Sequence, residues 1–450
     1  MTTMRCLFAA LIVLIGCDQS LPATGKDALP VAQTHFVNGF WFEAGRFIER
    51  DMYAGSGVFT EPPASGSSLH VVDLNGAYVV PPFAEAHHHM VLCEPGRIEQ
   101  FIEAGIFYAQ ILNARVTQKS CEEEMHSDFG APEIANAYAG LTASDAHPSQ
   151  IGEYFLSPEA IDGEWVHYID SLSDLEEKWP AIEAMDGDIL KIFLSYSEDF
   201  EFLQGNTDVS SWYKGLNPAL VPAVVEKAHS SGLRVSAHVM SAQDFHVAVS
   251  AGVDQIAHMP GFAPGPSLTM AFDNPWLLSL LDDAARYQIS REDAESAAQS
   301  GIDVVTTLSG MDEILADPDG FARQLNGSEA PSIAAAETAQ RFISVWQAAA
   351  RHNMEVLKDS GVTILIGSDR GEFNSIDEYL FLIDQGLMTA SDALYSLSVA
   401  TPKAIFPDRR IGELTPGAEA SFVALNGNPL IDMSAIRSLD IMYKKGQRIE

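Results

Sequence analysis

The sequence predicts an α/β protein: a (β/α)8 barrel of the TIM type with a small β-sandwich domain built from both chain ends. Three observations predict it. From about Pro81 to Pro402, apolar runs of four to six residues alternate with longer amphipathic stretches such as "PALVPAVVEKAHSSG" and "SIDEYLFLIDQG", the pattern of βα units around a parallel sheet. Before that span, from about Gln33 to Val80, and again after Ile405, short alternating segments are broken by Gly, Asn and Pro turns, as in "THFVNGFWF", "LHVVDLNGAYVV" and "LDIMYKKGQRI". Finally, several central runs end on a polar residue, where barrels of about eight strands carry their chemistry. The expected units are a leader over 1–16, a tether over 17–32, the sandwich over 33–80 and 405–450, and the barrel over 81–404.

The leader is read from "MTTMRCLFAALIVLIGCDQS". One positive charge, Arg5, precedes an apolar stretch from Leu7 to Ile15. That stretch falls short of the roughly 20 residues that span a bilayer, but suits a signal peptide. "LIGC" resembles the bacterial lipobox, which implies lipidation of Cys17 and a lipid-anchored, periplasm-facing protein of the cell envelope. Residues 18–32, "DQSLPATGKDALPVA", read as a polar tether. The 62 acidic and 26 basic residues give a net charge of −36, which argues against a nucleic-acid partner and for solubility. Of the four cysteines, Cys93 and Cys121 remain after the leader and the lipid site. They either pair or stand as buried thiols. In an oxidising compartment a Cys93–Cys121 disulfide between the loops after the first two barrel strands is the expectation.

"AEAHHHMVLC" spends three of the 13 histidines after an apolar run. In a strand, His87 and His89 share one face and His88 takes the other. Two imidazoles on one face suit a metal; a polar strand end with one satisfied core histidine is the alternative. Further along, "GDILKIFLS" holds Lys191 inside a run, "SGLRVSAHV" ends at His238, "AGVDQIAHM" at His258 and "SGVTILIGSD" at Asp369. Four imidazoles and a carboxylate on one rim make a set of N and O donors for Zn²⁺ or a similar ion. A lysine among them is an ion-paired strand residue, or it is carbamylated, since an ammonium has no lone pair to offer.

This pattern resembles the metal-dependent amidohydrolase superfamily, in its two-metal branch with a carbamylated lysine, near the imidazolonepropionase-like and prolidase-like members. "VVPPFAEAHHH" resembles the family's "VxPGxIDxHxH", "GDILKIF" its lysine strand, and "AHSSGLRVSAHV", "AGVDQIAH" and "GVTILIGSD" its later ligand strands. "IGELTPGAEASFVALNGNPLIDMSAI" resembles the segment that closes its β-sandwich. Pro82, Glu85 and Ser421 depart from its usual Gly, Asp and Asp, and "GIFYAQILNA" departs from its second strand.

The resemblance implies two divalent ions, Zn²⁺ foremost. His87, His89 and Asp369 would hold one, His238 and His258 the other, with carbamylated Lys191 and a hydroxide between them. Asp369 would pass the proton to a leaving amine. The implied reaction is hydrolysis of a C–N bond in a small molecule: an amide, a cyclic amide or a dipeptide-like substrate. Lactone or phosphotriester hydrolysis on the same site, and a non-catalytic solute-binding lipoprotein, are the alternatives. His147, after the third barrel strand, and Tyr196 and Arg370, each just beyond a ligand strand, are candidate substrate contacts. His88, His229, His246 and His352 are expected to be structural. Homo-oligomerisation is compatible with the sequence.

Overall fold

A computed structural model describes residues 33–89, 95–121, 129–261, 274–327, 330, 332–371 and 373–449. Cys17 and Cys93 lie outside the described residues, as do the expected leader and tether. In chain order the strands begin with β1 (Gln33–Glu43), β2 (Arg46–Gly55), β3 (Val58–Thr60), β4 (Leu69–Asp73) and β5 (Tyr78–Val80). Next come β6 (Phe83–His88), β7 (Ile106–Ala114), β8 (Glu133–Tyr138), β9 (Gly140–Thr142) and β10 (Val166–Tyr168). These are followed by β11 (Ile189–Phe193), β12 (Arg234–His238), β13 (Gln255–Ile256), β14 (Asp303–Val305) and β15 (Ile364–Leu365). The chain closes with β16 (Phe422–Leu425), β17 (Leu439–Lys444) and β18 (Gln447–Ile449).

Both chain ends enter one sheet, ordered β18-β17-β16-β5-β1-β2-β3 with β4 on β1. Three hairpins are closed by two-residue turns: Ala44–Gly45 (φ 48° and 79°), Ser56–Gly57 (55° and 82°) and Lys445–Gly446 (47° and 74°). Two left-handed residues in succession match the twist of the flanking strands, and glycine at the second place carries this backbone without strain. The sheet doubles over instead of splitting into two: the Phe59 N–H donates to the Ala418 carbonyl at 2.8 Å, and the Gly417 N–H to the Phe59 carbonyl at 2.8 Å. Inside the fold Phe36 meets Phe422 and Tyr443 edge-on, at 5.0 and 4.9 Å between ring centres.

The central strands are parallel. β6, β7 and β8 form one sheet, and β10-β9-β11-β12-β13-β14-β15 another. Every residue of β6, β7 and β11 is buried, as expected of strands covered on both faces. Among the described residues the sheets meet along both edges. The Asp188 N–H donates to the Asn136 carbonyl at 2.9 Å, joining β8 to the approach of β11, and the Ala86 N–H donates to the Ile366 carbonyl at 2.9 Å, joining β6 to the exit of β15.

Helices feed these strands by a repeated device. Ala242–Ala251, Arg291–Ser300 and Ile333–Ser360 end on left-handed Gly252, Gly301 and Gly361, and a strand begins two or three residues later. The left-handed glycine satisfies the last helical carbonyls and turns the chain, so "AGVDQI", "SGIDVV" and "SGVTIL" are one motif used three times. No described helix is long and apolar enough to cross a membrane.

Candidate metal and catalytic site

His87 lies on β6 with its ring buried. Its Nδ1 is 2.7 Å from the Ala257 carbonyl. A carbonyl only accepts, so Nδ1 carries the hydrogen and Nε2 keeps its lone pair. That Nε2 lies 3.2 Å from His89 Nε2 and 3.0 Å from Asp369 Oδ1, which is itself 2.9 Å from His89 Nε2. Among the described residues, these three form a group of donor atoms that could hold a metal ion, all within 4.8 Å of one another. About a third of the His89 and Asp369 side chains is exposed, against 1% of His87. The group therefore has a closed floor and an open mouth.

Local backbone chemistry aims Asp369. The residue is left-handed at φ 56°, and its N–H donates to the His87 carbonyl at 2.7 Å. Gly367 allows this approach: a Cβ there would lie 2.6 Å from the His87 nitrogen. Glu85, fully buried, fastens the same junction. Its Oε1 accepts from the His87 N–H at 3.1 Å and the Ser368 N–H at 2.8 Å.

The second cluster adjoins the first. His258 follows β13 and its ring is stacked with that of His87, 5.8 Å centre to centre. Its Nε2 is 2.7 Å from His238 Nδ1, at the end of β12. Lys191 on β11 pairs in register with Ser236, two residues before His238. It is wholly buried, and its Nζ has no hydrogen-bond partner.

Burial sets the charge states here. It pushes His258 down to about 3 and, against the pull of Asp369, His87 down to about 4. His238 is driven well below the imidazole range by burial and then by its imidazole neighbours. The Lys191 amine is pushed down to about 7 by burial, with Asp369 opposing. Burial works to raise the Asp369 carboxyl, but His87 and His89 together hold it well below the usual carboxylate range. Neutral imidazoles beside an ionised carboxylate are what a divalent cation needs. The buried Nε2 of His238, like Nζ of Lys191, has no partner. Orphaned donors of this kind are costly unless a ligand completes them, and the set fits a metal centre.

The other predicted residues fall as follows. His147 is buried, its ring 4.7 Å from His238 and 4.8 Å from Trp212, and its Nδ1 is 2.9 Å from Gln150 Nε2. Tyr196 is buried in an aromatic cluster, 5.4 Å from Trp276 and 6.3 Å from Tyr213. Arg370 lies over Phe373. Cys121 is disulfide-bonded. His88 turns away from the cluster, 3.1 Å from the Phe373 carbonyl. His229 and His246 lie 2.9 and 2.6 Å from Asp254 and Asp293, and His352 lies 3.0 Å from the Ile289 carbonyl.

Three buried carboxylates to which sequence reasoning gave no role hold the rim loops. Asp244 Oδ2 accepts from the N–H groups of Tyr196, Met240 and Ser241, each at 2.9 Å. Glu378 accepts from those of Leu308 and Ser309, and Glu85 does the same after β15. Only Glu85 had a signal, since it stands two residues before His87 and shares its strand face.

This chain belongs to the amidohydrolase family, whose model matches residues 214–448, more than half of its length. No curated protein matches it. Solved structures do. A prolidase complexed with N-methylphosphonate-L-proline is 17% identical, with a TM-score of 0.68 over 93% of this chain and 100% of that one. A Xaa-Pro dipeptidase with bound methionine is 16% identical, with a TM-score of 0.67 over 93% and 100%. The ochratoxinase of A. niger is 15% identical, with a TM-score of 0.67 over 93% and 95%. At these identities the likeness is one of fold.

Proposed function

We propose that this protein is a binuclear metal-dependent hydrolase of C–N bonds, acting on an amide, a cyclic amide or a dipeptide-like substrate. The observation that carries this reading is the convergence of His87 Nε2, His89 Nε2 and Asp369 Oδ1 beside His238, His258 and an orphaned buried Lys191. In this reading β6, β7, β8 with β9, and β11 to β15 close into one eight-stranded barrel, with the site at the carboxyl ends of its strands. That structures named prolidase and Xaa-Pro dipeptidase share the fold favours a dipeptide-like amide.

His87, His89 and Asp369 would hold one divalent ion and His238 and His258 another, with Lys191 between them as its carbamate. Zn²⁺ suits these donors. Bound there, such ions bring the pKa of water toward neutrality and polarise a carbonyl. The remaining work belongs to the chain. Lys191 is too buried to sit comfortably as an ammonium, and a carbamate would turn it into a two-oxygen anionic donor. Asp369 turns Oδ1 toward the imidazoles, and its carboxylate would take a proton from the attacking water and return it to the leaving amine. His147 accepts the Gln150 amide at Nδ1, which leaves its Nε2–H to donate to a substrate oxygen.

The test is a panel of N-acyl amino acids, dipeptides and lactones offered to the metal-loaded protein. Amine release from at least one C–N substrate, abolished by chelation, is expected. Turnover of lactones alone would overturn the assigned bond.

A further inference from the structure

We propose that Arg370 recognises a carboxylate on the substrate and so restricts this site to anionic C–N substrates; the inference rests on the function proposed above. Arg370 directly follows Asp369. Its guanidinium carbon sits 4.9 Å from the centre of the Phe373 ring, a cation–π contact that restrains the group. Its Nη1 is buried and has no hydrogen-bond partner. Three other part-buried arginines are paired with carboxylates, Arg115 with Glu164, Arg286 with Glu198 and Asp199, and Arg409 with Glu133 and Glu419, and Arg234 donates to the Ala404 and Ile405 carbonyls. Among the described residues, Arg370 has no carboxylate partner.

A buried guanidinium N–H with nothing to donate to is expensive. A planar, restrained guanidinium is matched best by a carboxylate, which accepts two parallel N–H bonds. The place suits a substrate group. Gly310, in the loop after β14, packs against the arginine, and a Cβ there would lie 3.7 Å from its Cδ and 3.8 Å from Nη1, so the guanidinium lies at the carboxyl end of the neighbouring strand. With 62 acidic and 26 basic residues, the molecule's field repels anions, and a fixed guanidinium opposes that repulsion for a carboxylate substrate.

The probes are N-methylphosphonyl amino acids with apolar, acidic and basic side chains, each paired with its carboxamide. Binding to the metal-loaded protein is measured by calorimetry, with metal content determined for every variant. Arg370→Met should weaken the carboxylate members by about 10- to 100-fold, the worth of a charge-assisted hydrogen bond, and leave the carboxamides unchanged. Arg370→Lys, which keeps the charge and loses the planar fork, should fall between. Equal weakening of both members, or of neither, would overturn the inference while leaving C–N hydrolysis standing. A wild type that hydrolyses a C–N substrate yet prefers no carboxylate probe over its carboxamide would do the same. Binding of no probe together with hydrolysis of no substrate would bring down both.

Discussion

Asp369 carries two duties that one substitution separates. Its carboxylate is a donor atom beside His87 and His89, and in the proposed reaction it also moves the proton. Asparagine keeps an oxygen donor and the shape but accepts no proton. Asp369→Asn is expected to retain the fold and much of the metal, while kcat/KM falls at least about 100-fold, the usual worth of a positioned acid–base group. His88→Asn is the matched control. His88 is buried and directed at the Phe373 carbonyl, and its loss should leave activity within about three-fold, as for a residue outside the reacting cluster. Near-normal turnover in a metal-replete Asp369 variant would remove that residue from the chemistry. Legibility differed between residues at this scale. The nearness of His87 and His89 could be read because strand alternation is local, and the placing of His238, His258 and Asp369 on one rim because each ends an apolar run. The surroundings of Tyr196 could not. That residue also follows a strand, but the Asp244 carboxylate holds its backbone from 48 residues away and its ring joins Trp276 and Tyr213, contacts that depend on how distant loops meet.

Strand β6 and the turn after β15 form the element on which the site depends. They are joined by Ala86 to Ile366, by Asp369 to His87 and by Glu85 to both His87 and Ser368. Glu85→Ala would leave two buried N–H groups unpaired, at a cost of about 2–4 kcal/mol, and would loosen the spacing between the imidazoles and Asp369. Glu85→Gln keeps an acceptor oxygen and should cost under about 1 kcal/mol. Urea unfolding and divalent-metal affinity, measured on both variants, check this; an alanine variant that binds metal as wild type does would deny Glu85 its positioning role. The helix–glycine–strand junctions were legible in the sequence because the C-terminal glycine is a local backbone requirement. The staples formed by Asp244 and Glu378 were not, because a buried carboxylate gives no pattern until its partner loop is folded against it; Glu85 could be placed on the face of His87, but its partner Ser368, 283 residues away, could not.

At the scale of the whole molecule, the two chain ends close one sheet beside the parallel strands, and the junction is polar. The Tyr108 hydroxyl donates to Glu419 at 2.8 Å, and buried Lys444 donates to the Ala131 carbonyl at 2.6 Å. The reading of a lipid anchor rests on the apolar segment from Leu7 to Ile15 that ends at "LIGC". Mass analysis of the mature N-terminus is expected to find a diacylglycerol-modified Cys17, and an unmodified Met1 in the membrane fraction would contradict it. The central claim, that six side chains from five strands hold two catalytic ions, is tested most directly by the metal content of the purified protein, compared with that of Lys191→Ala. The account predicts two divalent ions per wild-type chain and fewer than two in the variant, because the carbamate that joins the two halves of the site cannot form. A wild-type chain that binds no divalent metal at neutral pH would contradict it.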